Sequence, residues 1–223
     1  MKRLTLLLFL LATVSYGQGA KFGVRIGFTV ADLYIDGRGF DTANVLNSNR
    51  RMEYVTDLIY TGNVGGFVEI KLPKKFYIEP GVNLTVLGAE YGNVKVFKGR
   101  DDDYESDNYY RRDKVYITQL NLPVWIKYRA VAGLHPKVGA YVGYLAAVKE
   151  KRDGKTTEVD AKYRNGEVDF GLGAGVEYHF PRGFFLDTNF NVGLSNLSAR
   201  GEVRNFFLQT GIGYKFSTGS FFS

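Results

Sequence analysis

Hydrophobic and polar residues alternate along most of this chain. Between 165 and 180, Val168, Phe170, Leu172, Ala174, Val176, Tyr178 and Phe180 hold the even positions. Glu167, Asp169, Gly171, Gly173, Gly175, Glu177 and His179 hold the odd ones. A period of two is that of a strand whose faces meet different environments. The split recurs at 22–30, 184–196 and 204–216, and more loosely at 58–72, 76–91, 114–129 and 137–149, so the pattern predicts eight strands. Pro80 and Pro123 fall inside the third and fourth. A closed sheet has no edge on which a missing N–H is harmless, so both prolines are expected at bulges.

The connections alternate too. Long polar stretches at 35–57, 92–113, 150–164 and 197–203 follow strands one, three, five and seven, and short ones at 73–75, 130–136 and 181–183 follow strands two, four and six. This describes an antiparallel up-and-down meander with its long loops at one end, the asymmetry of outer-membrane barrels.

The content of the two faces says which of them meets lipid. The polar face holds Gly139, Gly143, Gly171, Gly173, Gly175, Gly193, Gly211 and Gly213, with charges at Arg25, Glu69, Lys71, Glu79, Lys127, Glu177, Asp187 and Lys215. So much glycine suits the lumen of an eight-stranded barrel, just wide enough to be filled by side chains. The apolar face carries no charge in the central part of any strand, where one Lys or Arg at the bilayer midplane costs about 2–4 kcal/mol. Tyr60, Phe76, Tyr116, Tyr128, Tyr178, Phe180, Tyr214 and Phe216 lie near its ends, as an aromatic girdle requires. These features disfavour the rival, an exported soluble barrel with its apolar face inward. The expected fold is all-β, an eight-stranded antiparallel up-and-down transmembrane β-barrel.

Lys2 and Arg3 precede the apolar run Leu4 to Val14 and the segment Ser15-Tyr16-Gly17. This reads as a signal peptide over 1–17, cleaved before Gln18, with 18–223 forming the barrel domain. The run is too short to span a bilayer, which takes about 20 residues. The chain is therefore expected in the cell outer membrane, with outer-membrane lipids as neighbours. The absence of Cys among 223 residues removes disulfides, thiolate metal sites and Cys catalysis. The net charge of +6 falls by the two charges of Lys2 and Arg3 on cleavage, too weak a balance to argue for nucleic acid.

Several segments resemble the PorT-like outer-membrane β-barrel family of Bacteroidota. They are Gly23-Val24-Arg25-Ile26-Gly27, YIEPGVNLTVLGAEY at 77–91, Leu120-Asn121-Leu122-Pro123, VGAYVGYLAAVK at 138–149, Val168 through Gly175 and Val192 through Asn196. Similar proteins commonly carry an acidic residue where this chain has Asn121. The last strand, Gln209-x-Gly211-x-x-Tyr214-x-Phe216, is similar to the C-terminal assembly signal of bacterial outer-membrane barrels. That likeness implies insertion by the barrel-assembly machinery. The founding member of the family is associated with a protein-secretion system, so the resemblance implies a secretion accessory as an alternative role.

Candidate chemistry is sparse. The two histidines, His135 and His179, fall at the short-turn end, away from the serines of the opposite end, Ser48, Ser106, Ser195 and Ser198, so no Ser/His pair is expected. Asp101, Asp103, Glu105 and Asp107 alternate like calcium ligands, but Ser106 stands where an EF-hand needs Gly and Arg112 where it needs Glu. Tyr109, Tyr110, Arg111 and Arg112 read as girdle and headgroup contacts. Arg25, Glu79, Lys127, Glu177 and Lys215 could line an ion path, but are read as mutually satisfied charges in a packed lumen. The sequence points to a non-enzymatic barrel without cofactor or metal, whose long loops meet cell-surface or other envelope proteins. A narrow channel and a lipid A-modifying enzyme are the lesser alternatives.

Overall fold

The computed structural model describes residues 20–36, 50–98, 105–159, 165–199 and 202–216. The expected signal peptide and the acidic run 101–103 lie outside them. Among the described residues there are ten strands: β1 (Lys21–Asp36), β2 (Arg50–Asp57), β3 (Ile59–Lys71), β4 (Phe76–Lys98), β5 (Glu105–Tyr128), β6 (Leu134–Arg152), β7 (Lys155–Glu158), β8 (Val168–His179), β9 (Phe184–Gly193) and β10 (Glu202–Lys215).

They form eight staves. β1 pairs with β3 and with β10, and β4 pairs with both β3 and β5, so the antiparallel sheet closes on itself. β2 runs into β3 across Leu58, and β7 joins the β8 side of β6. β9, at 10 residues, is as long as one membrane crossing requires.

Three of the four long polar connections predicted from sequence shrink. β4 and β5 stay paired out to Lys98↔Glu105, β2 adds itself to β4, and β6 turns back into β7, so much of 50–57, 92–113 and 150–158 is sheet rather than loop. Residues 109–112 sit in this extension, beyond Lys114, the outermost β5 residue paired with β6.

The prolines are not at bulges. Register is the same on both sides of Pro80 and Pro123: β3–β4 pairing stops at Phe67↔Gly81 and resumes at Ile70↔Ile78, and β4–β5 pairing stops at Pro80↔Val124 and resumes at Asn83↔Asn121. The missing N–H groups fall in these two gaps, where Pro80 faces Val68 and Pro123 faces Gly81. A local break in the ladder, without an inserted residue, accommodates each ring. The register shifts lie elsewhere, at Val55/Thr56, Tyr91/Asn93 and Thr118/Gln119.

The distribution of side chains is inside-out. Phe28 and Tyr60 are 74% and 78% exposed, and Ile26, Leu122, Val138, Phe170, Leu172, Leu186 and Ile212 are exposed around the wall, while Glu79, Lys127 and Glu177 have no exposed surface. No water-soluble barrel tolerates a continuous apolar surface of this extent. The lumen glycines make room for large neighbours. A Cβ on Gly171 would fall within the Tyr141 ring, one on Gly213 within the Phe185 ring, and one on Gly173 would lie 2.6 Å from Trp125.

Candidate functional site

The lumen is filled in three layers. At the long-loop end Leu33, Ile59, Leu87, Ile117, Leu145 and Phe207 form a buried apolar cluster with Tyr141, Leu197 and Val203. These are inward positions, spaced by two on their own strands, that happen to be apolar near one end. Below them is a polar layer centred on the buried carboxylate of Asp169. It accepts from the Tyr141 hydroxyl at 2.9 Å, from Asn205 at 3.2 Å and from Gln119 at 3.3 Å. Asn121 accepts from Gln119 at 2.7 Å in this layer. Gln209 donates to Thr85 at 3.1 Å and Asn63 to Thr29 at 2.9 Å.

The third layer is a ring of ions to which every stave contributes one charge. In order around the wall these are Lys215 on β10, Arg25 on β1, Glu69 on β3, Glu79 on β4, Lys127 on β5, Lys137 on β6, Glu177 on β8 and Asp187 on β9. Signs run in pairs, two cations then two carboxylates, twice over. Arg25 donates to Asp187 at 2.6 Å and to Glu79, and its guanidinium lies 4.4 Å over the Phe67 ring. Lys127 donates to Glu79, to Glu69 at 2.5 Å and to Glu177 at 3.0 Å. Lys137 reaches Asp187 at 2.5 Å and Glu177 at 3.3 Å. Four positive and four negative groups thus neutralise one another in a buried site, which is the condition for burying charge at all.

All five sequence-expected lumen charges, Arg25, Glu79, Lys127, Glu177 and Lys215, sit in this ring. Glu69 and Asp187, also placed on the lumen face from the sequence, complete it together with Lys137, which sequence reasoning missed. The signal for Lys137 was its parity, since it shares the inward phase of Gly139, Tyr141 and Gly143.

The ligand atoms of Glu69, Glu177 and His179 lie within 4.8 Å of one another, a spacing that could suit a metal ion. An ammonium already takes that role. Lys215 Nζ is 2.5 Å from Glu69, 3.0 Å from His179 Nε2 and 3.5 Å from Glu177.

Beyond the ring the lumen opens at the short-turn end into a bowl of about 1000 Å³. His135 and His179 lie at its floor with rings stacked at 3.8 Å, and Tyr77 meets His135 edge-on at 5.7 Å. Ser195 is at the other end of the barrel, its hydroxyl accepting the Phe170 N–H at 2.8 Å. Around the outside of the short-turn end, Phe76 packs on Tyr128, Tyr178 on Phe180, and Phe184, Tyr214 and Phe216 in sequence, with centroids 5.0–5.1 Å apart. Of the other expected girdle residues, Tyr60 is exposed near the long-loop end, and Tyr116 is partly buried against the apolar cluster.

In the expected assembly signal, Gln209 and Gly211 point inward while Tyr214 and Phe216 point outward.

Residues 15–199 match the model of the outer membrane protein beta-barrel domain. The chain belongs to that family. It is an integral protein of the outer membrane, and in such barrels the short turns face the periplasm. Among solved structures, Neisserial surface protein A is similar at a TM-score of 0.50 with 11% identity, over 89% of this chain and 100% of that one. The attachment invasion locus protein Ail of Yersinia pestis is similar at 0.47 with 14% identity, over 89% and 99%. At 11% identity the first of these speaks to the barrel fold alone. No curated protein matches the chain in sequence.

Proposed function

We propose that this family member is a non-conducting, non-enzymatic barrel whose sheet extension beyond the outer end binds another protein of the cell surface or envelope. The observation that carries the reading is the filled lumen, with an apolar cluster above and a neutral ring of ions below. Such a barrel offers no water path, and its use lies at its ends. The outer end projects the hairpin of β4 and β5, with β2 alongside, and the β6–β7 hairpin. Stiff strands hold a binding surface with less ordering entropy than open loops. The separation of His135 and His179 from Ser195 and Ser198 favours the non-enzymatic reading.

The PorT-like resemblance, including the Leu120-Asn121-Leu122-Pro123 segment, favours a narrower version in which the partner belongs to a Bacteroidota secretion system. Outer-membrane lipids and, during insertion, the barrel-assembly machinery complete the set of partners. Affinity capture from crosslinked outer membranes, with the full chain and with a variant lacking the outer part of the β4–β5 hairpin, tests the proposal. Proteins captured by the first and lost by the second support it. An identical set from both overturns it, and normal export in a deletion strain removes the secretion version.

A further inference from the structure

Charge is distributed very unevenly along the barrel axis. At the periplasmic end Lys21, Lys71, Lys74, Lys75, Arg129 and Arg182 are exposed, while the carboxylates at that end, Glu69, Glu79, Glu177 and Asp187, are all buried in the ring. Among the described residues no salt bridge joins any of the six cations to an acid.

Their direction distinguishes this from ordinary headgroup contact. Lys21, Lys71 and Arg129 share the inward phase of Gly23, Glu69 and Lys127, and all three line the bowl together with Arg182 and Lys215. The lipid-facing phase at this end is held by Phe22, Phe76 and Tyr128 instead, while the girdle aromatics Phe180, Phe184, Tyr214 and Phe216 also border the bowl. The turns add three further cations. Lys74, Lys75 and Arg182 have φ of 57°, 68° and 68°, a left-handed conformation usually given to Gly or Asn. Phe76 N–H donates to Pro73 O at 3.4 Å and Leu72 N–H to Phe76 O at 2.8 Å, so the first turn is tight. Basic residues stand where the backbone would favour Gly or Asn.

We infer that the periplasmic mouth is a binding site for a small multivalent oxyanion, phosphate- or carboxylate-bearing, that enters from the periplasm and is held over the axis by Lys21, Lys71, Arg129 and Arg182. The bowl has the size of a small-molecule pocket rather than a flat docking face. Its floor is an electroneutral ring, so the rim cations are not cancelled from below. Arginine and lysine together offer forked and point-like donors to such oxygens. The site is independent of the proposed partner surface, which is at the opposite end.

The test uses the mature barrel folded in zwitterionic nanodiscs and titrated calorimetrically with tripolyphosphate and, separately, citrate. Saturable binding of one or both is expected, weakened about tenfold or more in a Lys71→Gln/Arg129→Gln/Arg182→Gln variant. The response to the two anions tells phosphate from carboxylate. A Lys149→Gln/Lys151→Gln variant, altered at the far end, should bind like the parent. The shifted band of unboiled samples on gels verifies that each variant is folded. Equal affinity in parent and triple variant overturns the site. So does binding of a hexaglutamate peptide without either small anion, which would mark a polypeptide site. Loss of anion binding when phosphatidylglycerol is added to the discs would assign the rim to lipid headgroups and equally overturn it.

Discussion

Gly27 on β1 and Gly211 on β10 face each other across the seam that closes the barrel, and neither has room for a side chain. A Cβ on Gly211 would lie 2.7 Å from the Gly27 Cα, and one on Gly27 would lie 2.8 Å from the Gly211 Cα. The first and last strands meet here, so closure depends on the absence of two methyl groups. Gly211 is also the glycine of the expected assembly signal, which gives that position two distinct reasons to be glycine.

Those reasons separate experimentally. Gly211→Val should impair folding without any assembly factor, at a cost of about 1–3 kcal/mol from overpacking. Phe216→Ala should not, because its side chain points outward and its N–H donates to Phe22 O at 2.8 Å whatever the side chain. Refolding from urea into lipid vesicles, read by the gel shift of unboiled samples, measures the intrinsic effect. Cellular membrane fractions measure the assembled amount. A Phe216→Ala variant equally defective in both would remove the argument that Phe216 serves recognition.

The ionic ring makes a second prediction. Glu177 lies 2.9 Å from His179 Nε2, 3.0 Å from Lys127 and 3.3 Å from Lys137. Glu177→Gln leaves four cations facing three carboxylates, and breaking a buried ion pair on one side costs about 3–5 kcal/mol. Removing one charge of each sign, as in Lys137→Met/Asp187→Asn, keeps the ring neutral and should cost less despite altering two residues. Urea unfolding in vesicles compares them. If the double variant is the less stable, neutrality is not what governs the layer.

The ring also shows why the sequence was readable to one depth and no further. Parity assigned Arg25, Glu79, Lys127, Glu177 and Lys215 to the lumen, because a membrane strand writes its two environments into alternate residues. That these residues share one level, with one charge from each stave, depends on strand stagger, which no single strand records. Pro80 and Pro123 misled for a related reason. A proline signals a missing donor but not whether the sheet answers with an extra residue or with a gap. The outer parts of β4 and β5 were read as loops because strands that have left the bilayer have no lipid face, and the alternation that identifies a strand fades with it.

A third prediction concerns permeation. Planar bilayers containing the native barrel should show no stepwise current. Phe207→Ala opens space in the apolar cluster, where Phe207 packs 5.8 Å from Tyr141, and should lower stability by about 3–5 kcal/mol. It should nevertheless stay silent, because the ionic ring below still closes the lumen. Steady unitary currents from the native protein would overturn the sealed reading, and currents from Phe207→Ala alone would show that the ring is no barrier.

Trp125 provides an internal reporter for all of these variants. It is the single Trp of the chain, and it is buried in the lumen rather than placed in the girdle, with Lys137 Nζ 4.6 Å from its ring and Gly139 and Gly173 leaving space beside it. A tryptophan at the girdle would be quenched by brominated lipids and would respond to bilayer thickness. This one is screened from lipid by its own wall and from water by the packed layers. Its emission in folded barrels should therefore be nearly unaffected by acrylamide and by brominated acyl chains, and should become accessible to acrylamide on unfolding. Lys137→Met removes the cation beside the ring and should shift the emission of the folded state, whereas Lys149→Met, on the outer part of β6, should not. Strong quenching of the folded native barrel by brominated lipid would place Trp125 on the outside and reverse the inward phase of β5, and with it the assignment of Lys127 to the ring.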